Sequence, residues 1–93
     1  METTVVFLER LRTSLGGESS CSDYRLAKVL QIRHGTIWGY LKKGRTMDDP
    51  VAIKCAKLLD LDPHYVVACC HAERSTDIEA VKVWQEIAER FAA

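Results

Sequence analysis

"LAKVLQIRHGTIWGYLKKGR", Leu26–Arg45, has the pattern of two short helices joined by a turn. Its second half is a poor piece of protein core. Gly35 and Gly39 each cost a helix interior roughly 0.5–1 kcal/mol relative to alanine. Arg33, His34, Lys42, Lys43 and Arg45 crowd the same stretch, and a large indole, Trp38, sits among them. These choices suit a helix shaped for a partner better than one shaped for stability.

Around this stretch the chain is 93 residues long, 47% hydrophobic and 28% charged, with formal net charge +0. That predicts one small folded domain rather than disorder. The zero net charge conceals an asymmetry. Residues 23–45 hold six Lys or Arg and one acid, while residues 46–93 hold five bases and nine acids. A basic patch on an otherwise acidic domain suits a polyanion such as DNA, although a solvated charged face is the commoner origin of such a run. No apolar run approaches the ~18–20 residues that span a bilayer, so no membrane partner is expected. "METTVVFLERLRTSL" lacks a basic leader followed by a long apolar block, which predicts a cytoplasmic location.

Cys21, Cys55, Cys69, Cys70 and the following His71 invite a metal reading. There is no CxxC pair, and adjacent cysteines on a helix point about 100° apart. Buried free thiols, no metal and no cofactor are the expectation. His34, His64 and His71 are scattered, and no P-loop, GxGxxG or HExxH occurs. The chain is not expected to be an enzyme.

Helical spacing recurs along the whole chain. Val5, Leu8, Leu11, Arg12 and Leu15, with Phe7 beside them, predict a first helix stopped by Gly16-Gly17. Ser22 or Asp23 is placed to cap the next, Asp48 or Asp49 with Pro50 a later one, and Asp62-Pro63 another. The last stretch sets Ile78, Val81, Trp84, Ile87, Ala88 and Phe91 on one stripe. Nothing alternates with period two long enough for a sheet. The expectation is all-α: five to six short helices, with a helix-turn-helix at about 23–43 and a C-terminal amphipathic helix at about 77–91.

In a helix-turn-helix the first helix needs a small residue where the second crosses it, and Ala27 stands there. Leu26, Leu30, Ile32, Ile37 and Tyr40 fill the apolar inner positions, leaving Arg33, His34, Gly35, Trp38 and Gly39 outside. A helix fits the DNA major groove by size. Ala27, Ile32 and Ile37, with "KKGR" and the capped "DDPVAIKCAKLLDLDP" behind them, resemble the lambda repressor and Cro type of domain over about Phe7–Ala68. The continuation "LLDLDPHYVVACCHAERSTDIEAVKVWQEIAERFA" is similar to small repressors of filamentous phages and prophages. Three departures stand out. Gln31 replaces the usual turn glycine, Arg33 replaces the usual Ser or Thr cap, and Ile37–Gly44 is one residue longer than the usual spacing.

The resemblance implies a dimeric, sequence-specific transcriptional repressor on a palindromic operator. Its candidate DNA-binding residues are Arg33, His34, Gly35, Thr36, Trp38, Gly39, Lys42, Lys43 and Arg45. His34 is placed to read a base, Trp38 to cover a thymine methyl or a sugar, the glycines to let DNA approach the backbone, and Lys42, Lys43 and Arg45 to hold phosphates. Each has a plainer reading: a surface His34, an inward-packed Trp38, glycines in a marginal helix, lysines that complement a helix dipole. Val81, Trp84 and Phe91 are a candidate dimer interface, or else the last helix closes its own core. Two rivals remain: a protein-interaction module of antirepressor or antitoxin-like kind, contacting a protein regulator, and an architectural or recombination-accessory DNA binder.

Overall fold

The computed structural model describes residues 1–92 and is all-α, with six helices and no strand among them. Each start signal is local and visible. Thr3, Ser22, Asp48, Asp62 and Asp77 each accept a hydrogen bond from a backbone N–H in the first turn that follows, supplying partners to donors that a helix start leaves orphaned. They open α1 (Thr4–Ser14), α2 (Asp23–Leu30), α4 (Asp49–Leu58), α5 (Pro63–Arg74) and α6 (Ile78–Phe91). The exception is α3 (His34–Lys42), which follows Arg33 with no side-chain cap.

The ends of α1, α2 and α4 are closed by left-handed residues. After α1, Gly16 lies at φ 106°, with Gly17 N–H bonded back to Arg12 O. After α2, Gln31 lies at φ 58°; its N–H reaches Lys28 O, and Ile32 N–H reaches Ala27 O. Asp60, at φ 57°, closes α4 by the same pair of bonds, to Lys57 O and Ala56 O. These are Schellman turns, normally built on glycine. Gln31 therefore takes the conformation that a turn glycine would. Its amide oxygen also accepts from Lys54 Nζ of α4.

The core is drawn mainly from α1 to α5, with Ala88 added from α6. Phe7, Leu8 and Leu11 meet Leu26 and Leu30, Ile37, and Ala52, Cys55 and Val66. On α1 the buried stripe is Thr4, Phe7, Leu8, Leu11 and Arg12, whereas Val5 is exposed. The expected stripe was thus out of phase at its first position, because Thr4 is the buried member of that turn. Thr4 tolerates burial through its bonds. Its Oγ1 donates to Glu73 Oε1 (2.8 Å) and accepts from Met47 N–H (3.1 Å). Arg12, only 6% exposed, is likewise satisfied by Cys21 O (2.6 Å), Asp23 Oδ1 (2.5 Å) and Glu9 Oε2 (3.3 Å). The four cysteines are buried and unpaired, and burial pushes the thiol of Cys55 up to about 11 and that of Cys70 up to about 12.

α6 lies on α5 and buries one side chain completely, Ala88. Trp84 and Ile87 pack partly on the core. No helix among the described residues is long and apolar enough to cross a membrane.

Candidate nucleic-acid interface

α2 and α3 meet across the Gln31–Arg33 turn, and the inner side of α3 is set by Ile37 and Tyr40, both buried. What remains outside is basic and bare. Arg33, His34, Gly35, Trp38, Lys42, Lys43 and Arg45 are all exposed, while Thr36 is half-buried. The fold therefore gathers most of the expected residues on one outward surface.

Trp38 points outward and is 47% exposed. Lys43 Nζ stands 5.1 Å from its ring centroid, a cation–π distance. Packing does not explain the indole. Gly35 faces open space, with nothing within 4 Å of a Cβ placed on it, so no neighbour in this chain requires a glycine there. Gly39 differs and corrects the sequence expectation. It is buried, because the side chain of Arg45 crosses it. Close approach of an outside backbone at Gly39 is thus blocked unless Arg45 moves.

The uncapped start of α3 leaves first-turn amides without side-chain partners, and such amides together with the helix dipole favour anions. Beside them, the His34 ring lies 5.7 Å from that of Tyr24, tilted by 41°. Tyr24 (67% exposed) and Lys28 of α2 border a shallow groove with Ile32, Arg33 and His34. Neither was anticipated from sequence. The available signal was their i, i+4 spacing opposite Leu26, Ala27 and Leu30, which gives α2 an outer face of its own.

The candidate dimer residues are placed differently. Trp84 is half-buried and stacks on His71 of α5, with centroids 4.3 Å apart and planes at 22°. Phe91 stacks on His64 at 4.7 Å, and Val81 is half-buried. Both aromatic rings therefore fasten α6 to α5 within the chain, and Trp84 is not an anchor on an open face. The apolar side chains that α6 leaves most exposed are Ile78 and Val83. An apolar groove between Ile53, Val67, Trp84 and Ile87 runs beside this contact.

No family model, curated protein or solved structure matches the chain.

Proposed function

We propose that this chain is a sequence-specific double-stranded DNA-binding regulator that inserts α3 in the major groove, as a repressor of the phage or prophage kind. The observation that carries this reading is the outer surface of α3. It holds Arg33, His34, Lys42, Lys43 and Arg45 together with an unpacked Trp38, and none of the five basic side chains has an acidic partner among the described residues. Lys42 and Lys43 hold phosphates, giving affinity without sequence information, while His34 contacts a base edge. Lys28 and Tyr24 on α2 lie where the first helix of such a motif crosses the phosphate backbone. As a dimer, two copies place their α3 helices ~34 Å apart on a palindromic site. Occupying an operator excludes polymerase without a cofactor.

Sheared host genomic DNA incubated with the purified protein at low and moderate salt, recovered and sequenced, tests this. One enriched inverted-repeat site, lost in Lys42→Ala/Lys43→Ala, is the expected result. No enrichment at either salt overturns the proposal. A protein-binding module is the second reading, favoured by exposed Trp38 and by the apolar groove at Ile53, Val67 and Trp84. It predicts binding with little salt dependence, since counterion release accompanies phosphate contacts only.

A further inference from the structure

With 3.6 residues per turn, successive side chains on α3 are set about 100° apart. Buried Ile37 and Tyr40 define the inward direction, which places Gly35 and Lys42 nearly opposite it. Trp38 and Gly39 flank that outward line, each by roughly 50° on either side. One flank carries an indole. The other carries no side chain of its own, and yet Gly39 is buried.

What covers it is Arg45. A Cβ at position 39 would stand 3.1 Å from Arg45 Cδ, 3.6 Å from Nη1 and 3.7 Å from Nε. Stem and fork both lie along the helix at this point. The backbone brings them there: Gly44 turns at φ 69°, and Arg45 N–H donates to Gly39 O at 3.2 Å. The residue is thus tethered through its main chain to the same glycine that its side chain crosses. Its guanidinium makes no ion pair or side-chain hydrogen bond among the described residues, whereas Arg10, Arg12, Arg25 and Arg74 each hold an acid or a carbonyl.

We infer that Arg45 reads a guanine edge in the major groove, and that position 39 is glycine in order to seat it. The inference rests on the DNA-binding reading above. An arginine whose stem is already laid against a helix gives up little rotamer freedom on binding, and its planar fork fits a paired acceptor. Phosphate oxygens and guanine O6/N7 both offer such acceptors. Position separates them. Phosphates border the groove; the Arg45 fork is laid back beside Gly39 in the middle of α3, on the flank opposite Trp38, whereas Lys42 stands at the last residue of α3, nearer the groove edge. Gly39 is a positioning residue: it acts only through Arg45.

Selection of preferred sites from randomised duplex DNA, run in parallel for wild type, Arg45→Ala, Arg45→Lys, Gly39→Ala and Lys42→Ala, tests the assignment. Circular dichroism of each variant confirms that the helices persist. Wild type is expected to discriminate one G·C pair per half-site by about 5- to 150-fold, the range of a bidentate contact. Arg45→Ala brings that one position below about threefold while leaving the others intact, and Arg45→Lys, which lacks the planar fork, lowers the preference there less than alanine does. Gly39→Ala relaxes the same position, since its methyl displaces the arginine. Lys42→Ala weakens all sequences evenly. If Arg45→Ala lowers affinity uniformly and keeps the base preference, Arg45 is a phosphate clamp and the assignment fails. If Arg45→Ala behaves as expected and Gly39→Ala keeps wild-type preference, the seating role of Gly39 fails. Absence of any preferred site in wild type removes the DNA-reading proposal itself, a result distinct from both.

Discussion

On the α5–α6 side, His71 stacks on Trp84 and its Nε2 lies 3.0 Å from Asp49 Oδ1, which also accepts from Arg74 at 3.1 Å. On α3, His34 has one tilted aromatic neighbour and no acid. The arginines divide in the same way. Arg12 and Arg74 each tie two or more separate pieces of backbone and side chain together, while Arg33 and Arg45 tie none through their side chains. A chain that can satisfy its polar groups elsewhere leaves one face unsatisfied. Charge on that face makes no side-chain bond that holds the fold, so substitutions there and at the bonded arginines should have effects of different kinds.

The largest expected effect belongs to the bonded arginines. Arg12→Ala removes three bonds, leaves the Cys21 carbonyl without its donor and opens space in the core. It should cost about 2–3 kcal/mol, measured by urea unfolding. A loss within ~0.5 kcal/mol, the usual range for an exposed site, breaks the distinction. On the other side, Lys42→Ala/Lys43→Ala should leave unfolding nearly unchanged. It should weaken DNA binding about tenfold or more at moderate salt and flatten the plot of log affinity against log salt by roughly two contacts. Equal slopes for variant and wild type would place these lysines away from phosphate.

A smaller effect follows from acid. Burial by itself would raise the Glu2 carboxyl, but the Tyr65 hydroxyl (2.5 Å) and Arg10 outweigh it and hold the group below its ordinary value. The His64 ring and backbone N–H depress Asp62 likewise. A depressed carboxylate stabilises the fold above its unfolded pKa, and that contribution is lost as pH falls through the folded value. Urea midpoints should therefore hold level near neutrality and decline below about pH 4.5, by under ~1 kcal/mol from the Glu2 pair, which is partly exposed. Glu2→Gln should remove part of the decline; an unchanged profile would show that the pair does not hold in solution.

The smallest effect sharpens the contrast most, because its two readouts have opposite signs. Gly35→Ala meets no neighbour and should stabilise the protein by roughly 0.5–1 kcal/mol while reducing DNA affinity. A gain in both would mean that nothing outside the chain requires the glycine.

Much of the fold was readable in sequence because its signals are local. Ser22, Asp48 and Asp62 bond amides two or three residues away, so these caps alone locate three helix starts. The phase of α1 was not readable at its start. Val5 and Thr4 differ by one position, and hydrophobicity chooses Val5, whereas Met47 N–H and Glu73, distant in sequence, choose Thr4. The neighbours of Gly39 and Trp84 were not readable for the same reason. What covers Gly39 arrives from the chain beyond Gly44, and the partner of Trp84 stands on α5. On α3 the outward residues were readable because each follows from helical spacing about the apolar Ile37 and Tyr40. Tyr24 belongs to the neighbouring helix, and only the packing of α2 on α3 brings it to His34.

Met47 is fully buried; its N–H is held by Thr4 and its carbonyl by Arg74 Nη1 at 2.9 Å. At the near end, Lys43 and Arg45 both donate to Gly39 O. The connection between α3 and α4 is therefore pinned at each end, with little spare chain between. Surface connections generally accept inserted residues. A residue added between Lys43 and Met47 has nowhere to bulge without releasing one of its anchors, so the permitted length of this segment is as narrow as that of a helix.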